Sequence, residues 1–166
     1  MLKNNNNSVK CYEYFNNDNN FTIIMELCDK NLSKLLMDKF IEKQKCFNSG
    51  EILEIMKQLN NTFKIMKENK IIHRDLKFEN ILIKYNDINN KFFTIKLTDY
   101  GCSKRLQSLS KYYFKSNVGT VVYMAPEILK GEKYDYKVDL WNIGIIIYRL
   151  YFGKSPFTWN RKSSIN

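Results

Sequence analysis

Apolar residues follow two different periods along the 166-residue chain. In residues 9–15 and 21–27 they are mostly β-branched or aromatic, and the polar run 16–20 lies between these segments, which predicts a β-hairpin. From residue 52 the period becomes helical, after a start at 48–51 that resembles a capping box. The residues on the helical stripe are Ile52, Ile55, Met56, Leu59, Phe63 and Met66. We therefore predict a hairpin, then a helix that ends near Asn69.

The same reading predicts four further elements, namely a helix at 31–43, strands at 81–83 and 92–98, and a helix at 138–152. The last helix is apolar on most faces, which predicts burial on all sides. Residues 4–7 are four consecutive asparagines, and we expect residues 1–7 to be disordered. The mixture of hairpins and helices gives the fold class α+β.

Composition favours one folded domain, with 44% hydrophobic and 14% aromatic residues. The net charge of +10 would suit an anionic partner such as nucleic acid. However, only four of the 27 basic residues are arginine, and the lysines are scattered among many asparagines. A bias toward lysine and asparagine explains this better, so we predict no nucleic-acid partner.

Cysteine and histidine usage excludes two further classes. The four cysteines are widely spaced and there is one histidine, so the chain has neither a zinc ligand set nor a disulfide framework.

The most apolar run, 140–152, is short for a bilayer and contains Arg149. We therefore expect no membrane partner and an intracellular, cytoplasmic protein, with a nuclear location left open.

Four motifs carry the candidate chemistry. In chain order they are the octet His73-Arg74-Asp75-Leu76-Lys77-Phe78-Glu79-Asn80, then Asp99-Tyr100-Gly101, Ala125-Pro126-Glu127 and Asp139-Leu140-Trp141. Either of the first two alone would be an ordinary turn. With this order and spacing, the chain resembles the eukaryotic protein kinase family, serine/threonine branch, from about residue 8 to 158.

The resemblance implies a partial protein-kinase-like fold over residues 1–166. Residues 8–27 would form a small-lobe hairpin and hinge, and residues 28–166 an incomplete large lobe. The implied reaction is transfer of the ATP γ-phosphoryl group, with Mg²⁺, to serine or threonine hydroxyls of protein substrates.

Roles for individual residues follow from the same resemblance. Asp75 would be the base, Lys77 would contact the γ-phosphate and favours serine/threonine substrates, and Asn80 and Asp99 would bind Mg²⁺. Gly101 would let the backbone turn so that Asp99 points into the cleft.

The implied nucleotide site combines the hinge with the catalytic loop. Met25 would be the gatekeeper, backbone groups of Glu26 and Cys28 would bind adenine, and Leu82 would lie beneath it. Lys77, Glu79, Asn80 and Asp99 would complete the site. For the hinge residues and Leu82, simple strand and core packing is nearly as good an explanation.

Regulation by an upstream activating kinase is implied by Arg74, which precedes the base and can pair with a phosphate. Ser116 is the best-placed acceptor, with Ser108, Ser110, Tyr112 and Tyr113 as competitors. Thr120 matches a position that contacts Asp75 and Lys77.

Several kinase motifs do not occur in the sequence. No glycine-rich loop, strand lysine or helix glutamate precedes Val9, and the last large-lobe helices are missing. We therefore expect a fragment of a longer active kinase, with the 166-residue chain weakly active or inactive. The alternative is a pseudokinase-like scaffold or a truncated non-catalytic product.

Overall fold

The computed structural model describes residues 5–17, 20–89, 92–105 and 121–157. Its strands are β1 (Cys11–Asn17), β2 (Asn20–Met25), β3 (Lys30–Asn31), β4 (Ile71–Ile72), β5 (Ile81–Tyr85), β6 (Phe93–Leu97) and β7 (Lys104–Arg105). Its α-helices are α1 (Leu32–Lys43), α2 (Ser49–Glu68), α3 (Pro126–Leu129) and α4 (Lys137–Phe152). Short 3₁₀ turns cover Phe78–Asn80, Tyr100–Cys102 and Val121–Tyr123. The predicted α+β class and all predicted elements are confirmed.

Polar side chains set the starts of the first two helices. The Asn31 side chain accepts a hydrogen bond from the Lys34 amide at 2.9 Å. At α2, Asn48 and Glu51 form the predicted capping box, with reciprocal bonds of 3.0 and 2.9 Å. Each cap satisfies amide groups that the first helical turn leaves without a partner.

The hairpin of β5 and β6 forms the centre of the fold. It is antiparallel, with Ile81 opposite Leu97 and Ile83 opposite Ile95, and β3 pairs with the outer edge of β5. These four side chains are fully buried in the main core with the apolar face of α2. Because β5 begins after Asn80 and β6 ends two residues before Asp99, this hairpin brings the ends of two motifs together.

The N-terminal asparagines are part of the packed structure. Asn5 is 2% exposed, and its amide donates to the Thr62 hydroxyl of α2 at 2.8 Å. The Asn7 amide donates to the Ile95 carbonyl at 3.0 Å, and Ser8 forms a parallel bridge with Leu97. The prediction of disorder is therefore wrong for residues 5–7, because polar side chains here satisfy buried groups of α2 and β6. Residues 1–4 lie outside the described part of the chain.

Helix α4 is buried on one side only. Val138, Ile146 and Leu150 are in the core, whereas Leu140, Tyr151 and Phe152 are 57%, 49% and 53% exposed. The prediction of burial on all sides is wrong, since the described core elements contact a single face of the helix.

Gly153 ends α4 in the left-handed conformation, with a φ of 73°. A Cβ atom there would lie 2.8 Å from the Cys46 sulfur, so the close approach also requires glycine. Within the described ranges, none of the helices has the length and apolar character needed to cross a bilayer.

Candidate active site

The catalytic loop, residues 73–80, is anchored to helix α4 by one buried carboxylate. Asp139 accepts hydrogen bonds from the backbone amides of His73 at 2.8 Å and Arg74 at 2.9 Å. Arg74 has a φ of 70°, a left-handed conformation that costs a non-glycine residue about 1 kcal/mol or more. The two bonds to Asp139 hold this strained turn.

Three predicted catalytic residues meet directly beyond that turn. The Lys77 ammonium lies 2.6 Å from Oδ2 of Asp75. The Asn80 amide nitrogen donates to the same oxygen at 3.0 Å and to the Asp75 carbonyl at 2.9 Å. Burial lowers the pKa of Lys77, but the hydrogen bond with Asp75 and the charges of Asp75, Asp99 and Glu79 together outweigh it, so the net pKa is raised. Lys77 therefore stays protonated beside the carboxylate at neutral pH.

Asn80 and Asp99 have suitable oxygen atoms for a hard cation. Because the Asn80 amide nitrogen is bonded to Asp75, its Oδ1 atom remains as the metal-binding group. The Thr98 amide donates to the Asn80 carbonyl at 3.0 Å, which ties the start of β5 to the residue before Asp99. One carboxylate and one amide oxygen fit Mg²⁺, which takes its other ligands from phosphate and water. Elsewhere in the described ranges no cluster of three or more His, Cys, Asp or Glu side chains could bind a metal.

Asp99 and Tyr100 adopt the geometry of a tight turn after β6. Asp99 is left-handed, with a φ of 60°, and its Oδ1 accepts from the Gly101 amide at 3.3 Å. The Tyr100 ring packs on His73 with a centroid separation of 5.2 Å. Its hydroxyl lies 3.0 Å from the Ser8 hydroxyl, and burial raises the pKa of Tyr100 to about 12. The Asp-Tyr-Gly motif is thus fixed on one side by the catalytic loop and on the other by the N-terminal segment.

The predicted hinge, residues 26–28, follows β2. Met25 is half-exposed at the end of the strand, and Cys28 and Leu82 are partly buried. The Glu26 amide donates to the Lys10 carbonyl at 2.8 Å. Burial raises the pKa of the Cys28 thiol, which is therefore neutral at pH 7.

Glu79 and Arg74 belong to the same loop as this cluster. Glu79 is exposed, and Nη1 of Arg74 donates to the Tyr134 hydroxyl at 3.4 Å. Ser116 and Thr120 lie outside the described residues.

Arg149 is a component of the site region that sequence reasoning missed. Its guanidinium carbon lies 4.4 Å from the centroid of the Phe78 ring in the catalytic loop. It also hydrogen bonds the hydroxyl of Tyr123, while Asn142 donates to the Tyr123 carbonyl. These contacts tie α4 to both the catalytic loop and the 121–123 turn. Aromatic partners of a cation at such separations leave no spacing pattern in the sequence.

An apolar cavity of about 280 Å³ lies beside the 121–123 turn. It is lined by Val121, Val122, Met124, Pro126, Leu129, Trp141 and Phe157. The Trp141 and Phe157 rings stack in parallel at 5.7 Å in its wall. Trp141 therefore packs here at the edge of the core, beneath the turn.

The glutamate side chain in the hinge is a second missed component. Glu26 is buried and forms ion pairs with Lys96 at 3.0 Å and Lys84 at 3.1 Å. Seventy positions separate Glu26 from Lys96, so no local pattern could have predicted the pair.

Comparison with known proteins agrees with this geometry. A family model described as a protein kinase domain matches residues 1–166. The chain is 36% identical over 154 residues to serine/threonine-protein kinase TIO of Arabidopsis thaliana, covering 93% of this chain and 11% of that protein. It is 35% identical over 138 residues to serine/threonine-protein kinase 33 of Bos taurus, covering 81% and 28%.

A third relative is calcium-dependent protein kinase 5 of Plasmodium falciparum, isolate 3D7. The identity is 37% over 159 residues, covering 96% of this chain and 26% of the relative. The chain thus spans less than a third of each of these relatives' length. The match to the family model covers every position. The chain belongs to the protein kinase domain family.

Proposed function

We propose that the protein is a serine/threonine protein kinase that transfers the γ-phosphoryl group of ATP to hydroxyl groups of protein substrates. The proposal rests on the contacts of Asp75, whose carboxylate lies within 3.0 Å of both the Lys77 ammonium and the Asn80 amide nitrogen. The names of the relatives support the serine/threonine class. The family match supports ATP and Mg²⁺ as cofactors.

Asp75 would accept the proton of the attacking hydroxyl. Its Oδ2 atom bonds Lys77 and Asn80, which fixes the carboxylate and leaves Oδ1 for a substrate. General-base assistance of this kind contributes roughly 10²–10⁴-fold to a rate. Lys77 would lose part of its contact with Asp75 when it binds the transferred phosphoryl group.

Asn80 and Asp99 would hold Mg²⁺, which when bound neutralises the charge on the phosphate oxygens. The chain's own contribution is the fixed spacing of these two residues through the Thr98–Asn80 backbone bond. The Glu26 carbonyl and the Cys28 backbone would bind adenine. Leu82, on the partly buried face of β5, would contact its ring.

The activation segment stays at the level of prediction. Phosphorylation of Ser116 by an upstream kinase would place a dianion that Arg74 could bind. A Ser116→Ala variant should then lose activation by phosphorylation but keep basal phosphotransfer. Loss of basal activity in that variant would instead indicate a structural role.

The test of the function is transfer of radiolabelled γ-phosphate from MgATP to a mixed set of Ser/Thr peptides by the complete protein. Asp75→Asn should lower the rate about 10²–10⁴-fold. Glu132→Gln is a matched control, since it removes one exposed acid near α4. Equal rates for wild type and Asp75→Asn would overturn the proposal and favour a non-catalytic scaffold.

A further inference from the structure

Glu26 is the meeting point of three parts of the fold. Its carboxylate accepts from Lys96 of β6 at 3.0 Å and pairs with Lys84 of β5 at 3.1 Å. It also accepts from the backbone amide of Lys10 at 3.3 Å. The hinge is therefore tied by a side chain both to the N-terminal segment and to the central hairpin.

The pair with Lys96 is the buried part of this cluster. The side chains of Glu26 and Lys96 are 6% and 7% exposed, whereas Lys84 reaches solvent. Burial alone raises the pKa of Glu26, but hydrogen bonds from Lys96, Lys84 and Lys10 lower it below its ordinary value. Glu26 is thus charged at neutral pH, and a buried ion pair of this kind tolerates little change in geometry.

The pair lies on the same face of the β5–β6 hairpin as the predicted adenine contact. Lys96 is directly opposite Leu82 in the register. Lys84 is two residues beyond Leu82, so its side chain leaves the same face of β5. The opposite face, with Ile81, Ile83, Ile95 and Leu97, is fully buried in the core. Glu26 therefore binds the hairpin on its nucleotide side.

Both predicted metal ligands are at one end of that hairpin. Asn80 directly precedes β5, and Asp99 comes three residues after Lys96. Three residues of extended chain span about 10 Å. The carboxylate of Glu26 is thus linked through β6 to the end of the proposed site that would bind the phosphates. The backbone carbonyl of Glu26 belongs to the end that would bind adenine.

We propose that Glu26 and Lys96 are positioning residues that fix the distance between the adenine-binding hinge and the metal-binding residues Asn80 and Asp99. A nucleotide can bind the hinge and the metal-binding residues at the same time only when these two parts of the site are as far apart as its base and its phosphates. The inference rests on the proposed function, since it assigns a role within the same nucleotide site. In the proposed function the hinge binds adenine through its backbone. The inference adds a positioning role for the side chains of Glu26 and Lys96.

The experiment compares the binding of adenosine and of MgATP by calorimetry on the complete protein. Adenosine probes the hinge alone, whereas MgATP needs both ends. The double variant Glu26→Gln with Lys96→Met removes both charges together, so no unpaired charge stays buried. We expect its affinity for adenosine to change by no more than about twofold, and its preference for MgATP over adenosine to fall about tenfold.

Two further variants make the test specific. Glu26→Asp keeps both charges but shortens the link by one methylene, and should lower the same preference. Lys30→Met removes a different, partly buried ion pair, between Lys30 and Asp38. This pair joins β3, the strand beside β5, to helix α1. This control should leave the preference for MgATP unchanged. Thermal unfolding of every variant shows how much folded protein is present.

The outcomes separate the two claims. If the wild type binds MgATP and adenosine but both affinities fall in parallel in the variants, the pair is merely structural and the inference is overturned. An unchanged ratio in folded Glu26→Asp and in the double variant overturns it as well. If the wild type binds neither molecule, the proposed nucleotide site fails and this inference fails with it.

Discussion

His73 donates a hydrogen bond from Nε2 to the backbone carbonyl of Thr98, and the two atoms are 3.0 Å apart. A carbonyl oxygen only accepts, so the proton is on Nε2 in the neutral ring. Nδ1 is buried and has no hydrogen-bond partner among the described residues. The neutral His73 ring, with its proton on Nε2, therefore joins the catalytic loop to the segment that leads from β6 to Asp99.

The first prediction concerns the titration of this ring. Burial lowers the pKa of His73 below 6.5, although the Asp139 charge and the Thr98 bond oppose the change. The neutral form is favoured in the folded protein. Its contribution to stability is complete above pH 6.5 and is lost as pH falls through the folded-state pKa. Because the chain has one histidine, a single imidazole signal in an NMR titration measures this pKa directly.

The control for that titration is Asp139→Asn. Removing the carboxylate removes an interaction that raises the pKa of His73, so the midpoint should fall further. A midpoint above 6.5 in the wild type would show that the ring is protonated in the fold. The predicted lowering of the His73 pKa by burial would then be wrong.

The second prediction concerns Asp139 itself. Asp139→Ala leaves the His73 and Arg74 amides without their acceptor, in a buried position. Hydrogen bonds to a charged group contribute about 1.5–3 kcal/mol each, so we expect the free energy of unfolding to fall by about 3 kcal/mol. Urea denaturation measures the change. Glu132→Ala, an exposed acid before α4, should change it by less than about 0.5 kcal/mol.

The third prediction concerns the hydroxyl group of the Asp-Tyr-Gly motif. Tyr100→Phe leaves the Ser8 hydroxyl buried without its partner, which should lower the free energy of unfolding by about 1 kcal/mol. Ser8→Ala in the same background removes the unpaired group, so the double variant should recover part of the loss. Additive losses in urea denaturation would mean that the two hydroxyls do not interact. A spectroscopic titration should show Tyr100 ionising only near pH 12.

Local chemistry was predictable from the sequence where a motif carries its own geometry. The capping box of Asn48 and Glu51 is confirmed because both partners lie within one helical turn. The two short bonds from the His73 and Arg74 amides to Asp139 join two motifs on which the family resemblance rests. In both cases a few residues in a fixed pattern specify the contact.

Long-range polar contacts were not predictable in the same way. The Glu26–Lys96 pair joins positions seventy residues apart. Taken alone, each is a charged residue of a type that usually lies on the protein surface. Helix α4 has an apolar sequence on most faces, but hydropathy does not say how many neighbours cover it. Asn5 is the clearest failure, because four successive asparagines suggested disorder while the fold uses one of them as a buried hydrogen-bond donor.

The last prediction tests that contact within the asparagine run. The Asn5 amide donates to the Thr62 hydroxyl, which in turn donates to the Asn7 carbonyl at 3.2 Å. Asn5→Ala leaves Thr62 without its donor in the core and should lower the free energy of unfolding by about 1–3 kcal/mol. Asn6→Ala is the matched control, since Asn6 is exposed, and should change it by less than about 0.5 kcal/mol. Urea denaturation of the two variants side by side measures the difference. Equal, small effects would show that the Asn5 side chain does not anchor the N-terminal segment on α2.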